Sequence, residues 1–322
     1  MSALKASALA LGLAAVCPAQ AEPAISVLAK DERRDLVIEG VAHHEGRWFV
    51  SAVAARTIFR IETGRLVPFL QPDPGSGGIF GLAVDAPRGV LWAAEAWGKG
   101  LPGGWGERRT GLLKVSLADG RILARYLAHA REAKQFGDVI VDPAGAVYAS
   151  DGGTGAIWRL APGADELELV ARPKGVTSAQ GMALCPRDVM VVSDYSTGLH
   201  RVELAGGESR PLTLTSMETV AGLDGLVTLG VRDHLDVIAT YNGVQPYRLM
   251  RLKISAECER LEAAETVLMG EPVRDIALAA PGPDGLAVVT GSQWAGWTFE
   301  GTRNETDPGP ATVALVRLPA HP

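Results

Sequence analysis

Three short phrases place an oxygen-bearing side chain directly before a glycine at the head of an apolar run: IEGVA around Glu39, AQGMA around Gln180 and LDGLV around Asp224. Two carboxylates and an amide oxygen, if brought together, are hard ligands suited to Ca²⁺ or another divalent ion such as Zn²⁺. A bound ion of that kind polarises a carbonyl and lowers the pKa of water, the chemistry needed to open a lactone or ester. Asp224, as ligand or neighbouring base, would help that water attack. Arg274 opens a related phrase, RDIALAA. Its guanidinium would stabilise an oxyanion, or pair with Glu39 and Asp224 and stand where a cation would sit. These residues are far apart in the chain, so an architecture must make them neighbours.

The architecture is written as a repeat. A special residue, then Gly or Asp, then alternating apolar residues, a turn and a second strand recur from Glu39, Phe80, Gly137, Gln180, Asp224 and Arg274, at spacings of 41, 57, 43, 44 and 50 residues. The period-two alternation and turns such as Asp142-Pro143-Ala144-Gly145 predict a hairpin in each copy. Third strands follow in TIFRIETG, GLLKVSLADG, AIWRLAPG, LHRVELAGG and RLMRLKIS. Units of this length with four antiparallel strands are propeller blades, so the expected fold is an all-β, six-bladed β-propeller over residues 22–322. A two-sheet sandwich would not explain the period. Ring closure requires ATVALVRLP, from Ala311, to pair with residues near Ile25 to Leu36 or with the last hairpin. One stretch, Ile122 to Phe136, is ambiguous between helix and strand. In a propeller the residue opening each innermost strand points at one mouth of the channel, which predicts a ring of Glu39, Phe80, Gly137, Gln180, Asp224 and Arg274.

On these positions the chain resembles the senescence-marker-protein/gluconolactonase family, six-bladed propellers that include calcium- or zinc-dependent sugar lactonases. The resemblance runs from about Glu39 to Gly291. The family's metal-binding Glu, Asn and Asp fall on Glu39, Gln180 and Asp224, and a further Asn that contacts substrate or water falls on Gly137. What the resemblance implies is a lactone or ester hydrolase with a divalent metal at that mouth. The alternative is a non-catalytic propeller that binds a small ligand or a protein partner through its rim, with Glu39, Asp224 and Arg274 as a structural ion network.

Four of the seven Trp lie in two long insertions. Trp97 and Trp105 are in WGKGLPGGWGERRTG, and Trp294 and Trp297 are in SQWAGWTFEGTRNETDPGP. Aromatic rings on Gly-rich loops over a channel mouth would clamp a sugar or apolar ligand, or else cap the ends of the blades. Paired His43 and His44 receive no ligand role, and Asn242-Gly243 reads as the turn of the fifth hairpin. The absence of GxSxG and P-loop patterns removes nucleophile-elbow hydrolases and P-loop nucleotide binding from consideration.

Composition bounds the rest. With 47% hydrophobic residues, 38 Gly and 20 Pro, the chain is a turn-rich folded domain, and disorder is excluded as its main character. A net charge of −6 and no basic run beyond a dipeptide argue against nucleic acid. Lys5, the apolar run Ala6 to Val16 and Ala19-Gln20-Ala21 read as an export signal cleaved near Ala21, giving a periplasmic or secreted protein. That run is too short for a membrane span. Cys185 and Cys258 would remain, free to pair or to stay apart.

Overall fold

Each apolar run bounded by a turn buries one face only against a second sheet, and a ring of sheets gives every blade two such partners. In the computed structural model, which describes residues 23–129, 131–215, 220–298 and 300–318, the chain forms six sheets arranged as a six-bladed propeller. The expected export segment lies outside the described residues.

Blade one comprises Ile38–His44, Arg47–Ala52, Thr57–Glu62 and Arg65–Pro68, from axis to rim. Blades two, three and four repeat that order from inner strands Gly78–Asp85, Phe136–Val141 and Ala179–Cys185. Blade five starts at Leu223–Val231 and carries a fifth, parallel edge strand, Thr213–Leu214. The ambiguous stretch resolves as a strand, Ile122–Leu127, at the rim of blade two. No helix among the described residues is long and apolar enough to cross a membrane.

The apolar core lies between blades. Phe49 and Ile58 of blade one, for instance, pack on Ile79, Leu91 and Leu113 of blade two. Blade six joins the two ends of the chain. Ala311–Arg317 pairs with Gly285–Gly291 on one side and with Ala24–Asp31 on the other, so the N-terminal strand completes the last sheet. Gln293, fully buried, pins this seam. Its Oε1 accepts from the backbone N–H of Leu36 and Val37, and its Nε2 donates to the carbonyls of Arg33 and Gly309. A disulfide, Cys185–Cys258, ties blade four to blade five.

Leaving buried backbone groups unpaired costs about 1–3 kcal/mol each. Gln293→Ala should therefore lower the urea-unfolding free energy by about 2–4 kcal/mol, with water entering the vacated space to limit the loss. A change under about 0.5 kcal/mol would show that the seam does not depend on this amide.

Candidate functional site

The column residues are positioned by one device repeated around the axis. In blades one to five the inner strand slips register at the column, between Ile38 and Val41, Ile79 and Leu82, Phe136 and Val139, Ala179 and Met182, and Leu223 and Leu226. The bulge turns two consecutive residues toward the axis region. In blades one, two, four and five the second of the pair is glycine, because the next blade comes too close for a side chain, whereas blade three carries Asp138 there. A Cβ on Gly40 would lie 2.6 Å from the Phe80 carbonyl oxygen, and one on Gly181 would lie 2.4 Å from that of Asp224. Hydroxyls on the second strand close the gap. Ser51 Oγ accepts from Gly40 N–H at 2.7 Å and donates to the Phe80 carbonyl, and Ser193 Oγ donates to the Asp224 carbonyl at 2.7 Å.

Glu39 and Asp224 are both 9% exposed at this level. Trp294 Nε1 donates to Glu39 Oε2 at 2.5 Å, and Asn242 Nδ2 donates to Asp224 Oδ2 at 2.7 Å. The Asn242 amide is itself oriented, since Nδ2 also reaches the Ile276 carbonyl and Oδ1 accepts from the Tyr195 hydroxyl. Among the described residues the second oxygen of each carboxylate accepts nothing. Gln180 follows suit: its Nε2 donates to Ser178 Oγ at 2.8 Å, while Oε1 would be 3.6 Å from a Cβ on Gly137.

Burial raises the Glu39 carboxyl to about 8, with Asp224, Asp275 and Asp138 adding to the rise and the Trp294 N–H opposing it. Burial likewise raises Asp224 to about 6 against the Asn242 bond. Asp138 is pushed up to about 7 by burial, opposed by the N–H groups of Val139 and Met182. No basic side chain acts on any of the three. At neutral pH burial thus favours the protonated form of Glu39 more than that of Asp224.

Several expected residues lie elsewhere. Blade six lacks the residue-glycine phrase, and its column position belongs to Ala277, whose N–H bonds the Val289 carbonyl, with Leu278 N–H on the Glu39 carbonyl. Arg274 stands three residues earlier, exposed at the end of a short 3₁₀ turn and lining a surface depression with Ile25 and Val27. It is outside the ring because the sequence match aligned its Arg-Asp pair with Glu-Gly. Trp97 is core: it is 2% exposed, with Nε1 on the Gly75 carbonyl and the Arg109 guanidinium 4.4 Å from its ring centre. Trp105, 38% exposed, reaches the Ser76 carbonyl, and Trp297 lies under Arg303. Of the four, Trp294 hydrogen-bonds a column residue, Glu39. The two insertions do meet, since a Cβ on Gly301 would lie 2.5 Å from the Leu101 carbonyl oxygen.

Asn242, Tyr195, Asp138 and Asp275 are the residues that the sequence reading did not assign to the site. Asp138 had a visible signal, because Gly137-Asp138 reverses the residue-glycine order of the other blades. Asn242 was masked by its turn dipeptide. As for a cation, the donor set of Glu39, Asp224 and Gln180 offers free oxygens and no competing base, which suits an oxygen-loving divalent ion. Among the described residues no three His, Cys, Asp or Glu are spaced to hold a metal, so a cation at this mouth would need the Gln180 amide or another neutral oxygen besides the two acids.

No family model and no curated protein matches the chain. Solved structures do. A gluconolactonase from Xanthomonas campestris is similar at 16% identity and TM-score 0.58, covering 92% of this chain and 90% of its own. The PQQ-bound aldose sugar dehydrogenase of Streptomyces coelicolor is similar at 16% identity and TM-score 0.57, covering 93% and 100%. The major Malassezia sympodialis allergen Mala s 1 is similar at 12% identity and TM-score 0.68, covering 90% and 94%. At these identities the likeness establishes the fold.

The raised carboxyls bind more protons folded than unfolded, so the stability they contribute is present below about pH 4 and is lost as pH rises through about 6 to 8. In chelator, urea-unfolding free energy should fall between pH 5 and pH 8.5, and Glu39→Gln, which keeps an oxygen for Trp294, should flatten that slope. An equal slope in the variant would place the titration elsewhere.

Proposed function

We propose that the protein is an exported hydrolase of a sugar lactone or related ester, resembling the senescence-marker-protein/gluconolactonase family and acting at the mouth that bears Glu39, Gln180 and Asp224. One observation carries the reading. Glu39 and Asp224 are buried without a basic partner, each fixed through one oxygen by a neutral donor and each left with the other oxygen free.

Such a pair is organised for proton transfer. Asp224 takes a proton from water as the water oxygen bonds to the acyl carbon, and the electron pair of the breaking C–O bond leaves with the ring oxygen, which takes up a proton. Asn242 holds Asp224 in one orientation, and the Tyr195 hydroxyl prevents the amide from turning over. Trp294 positions Glu39 and walls the mouth beside Phe80, their ring centres 6.4 Å apart. A divalent cation held by Glu39, Asp224 and Gln180 would supply Lewis-acid polarisation of the carbonyl and favour the ionised form of both acids. Arg274 has no part in the reaction as the site is arranged. Export is supported by the composition of residues 1–21 and by the Cys185–Cys258 disulfide, since such bonds persist in oxidising compartments.

The test is hydrolysis of aldonolactones by the purified protein, followed by proton release with Ca²⁺, Mn²⁺, Zn²⁺ or chelator. Activity above the spontaneous rate, reduced at least ~100-fold in Asp224→Asn, is the expected result. Full activity in that variant, or none under any metal, would overturn the proposal, and activity indifferent to chelation would remove the cation from it.

A further inference from the structure

Beneath the carboxylate level the channel changes character. Its lower half is a cavity of about 540 Å³, within the range of small-molecule sites, walled by Val41, Leu82, Val141, Met182, Leu184 and Leu226. Consecutive residues of the inner strands line it, 82–84, 138–141 and 225–228 among them, and most of these side chains are apolar. The cavity opens to solvent past Thr228, Val231 and Pro281, with Val231 48% exposed.

Its inner end is acidic. Asp138 lies on the cavity wall, in the place that Gly40, Gly81, Gly181 and Gly225 occupy in the other blades. Its carboxylate accepts the Val139 N–H at 2.8 Å, and its electrostatic neighbours are Asp224 and, beyond it, Glu39. The titratable group on the cavity's wall besides Asp138 is His43, which stacks on Trp48 at 4.5 Å, near Asp284 and His44.

We propose that this lower channel is a binding site, distinct from the mouth at Glu39 and Asp224, for an apolar molecule bearing one ammonium group, which pairs with Asp138 while the hydrocarbon body lies along the Val, Leu and Met walls. Two features select that class. Apolar wall facing water is unfavourable by about 25 cal/mol per Å², so an apolar body is drawn in. A half-buried carboxylate whose neighbours are further acids repels an anionic ligand and is neutralised by a cationic one. Charge rules out a fatty acid, and wall chemistry rules out a polyamine. Replacement of the glycine by aspartate at this one position is hard to account for by packing, because Gly81 must make room for it: a Cβ there would lie 2.7 Å from Asp138 Oδ1.

The proposal does not rest on hydrolysis at the mouth. Octylamine, octanol and octanoate are the probes, titrated calorimetrically into the purified full chain at pH 7.5. Octylamine should bind saturably at one site and octanoate at least tenfold more weakly. Asp138→Asn should weaken octylamine at least tenfold and leave octanol within about twofold, and Val141→Trp, which fills the channel from its wall, should abolish both. Should Asp138→Asn fail to fold, the Val141→Trp result together with the preference for octylamine over octanoate decides. Absence of saturable octylamine binding, equal affinity for octanoate, or an unchanged octylamine affinity in folded Asp138→Asn would each overturn the proposal.

Discussion

The closeness of the inner strands around the axis is the constraint on which the structure depends. Where a Cβ would approach a neighbouring carbonyl to 2.4–2.6 Å, only glycine is admitted. The bulge that accommodates it turns the preceding residue into the mouth. Packing and chemistry are therefore coupled at adjacent positions: glycine allows the blades to meet, and the residue before it acquires the ring. Ser51, Ser150, Ser193 and Thr240 meet the backbone groups that the bulge leaves unpaired, each bonding an N–H or carbonyl at the slip. Without those hydroxyls the approach would strand buried polar groups, at about 1–3 kcal/mol each.

This coupling explains what could be read from the chain. A residue followed by glycine and then alternating apolar residues is a strong local pattern, and it marked the inner strands of four blades, at Glu39, Phe80, Gln180 and Asp224, while the Gly-Asp variant at Gly137 marked a fifth. Blade six has no such glycine. Leu278 stands at that level, its side chain filling the space beside Gly225, so the pattern found the nearest acid instead and pointed to Arg274. Loop residues were opaque for a different reason. Trp97 and Trp294 occur in similar Gly-rich contexts, yet one is held by Gly75 and Arg109 inside blade two while the other reaches Glu39 across 255 residues of chain. Nothing local distinguishes them. Asn242 is the same case: its dipeptide reads as a tight turn, but residues 242–247 form a longer connection, and its side chain is committed to Asp224, a partner only closure of the blade reveals.

The ring of column residues also divides the channel electrostatically. Above it lie two polar donors, Trp294 and Asn242, each neutral and each aimed at one oxygen of an acid, with the Tyr195 hydroxyl holding the Asn242 amide. Neutral donors stabilise a carboxylate without cancelling its charge, so the acids retain an attraction for a cation that an arginine in the ring would have removed. The displacement of Arg274 to the surface is thus more than a correction of alignment. It leaves Glu39 and Asp224 available, and it takes away the structural ion network as an account of why they are there.

Burying acids that lack a counter-charge is destabilising, and a fold tolerates it only where other terms hold the geometry. Here the holding terms are peripheral. The Gln293 seam closes the ring, the Cys185–Cys258 bond joins blades four and five, and apolar clusters between successive blades resist any widening of the axis. The acids cannot relieve their repulsion by moving apart, since each sits on a strand whose neighbours are fixed on both sides. They relieve it by taking up protons, which is why their carboxyls are raised. Rigid closure at the rim is therefore what holds the acids together at the axis, and a chain that closed more loosely would place the same residues in the same order with their repulsion relaxed by distance and water.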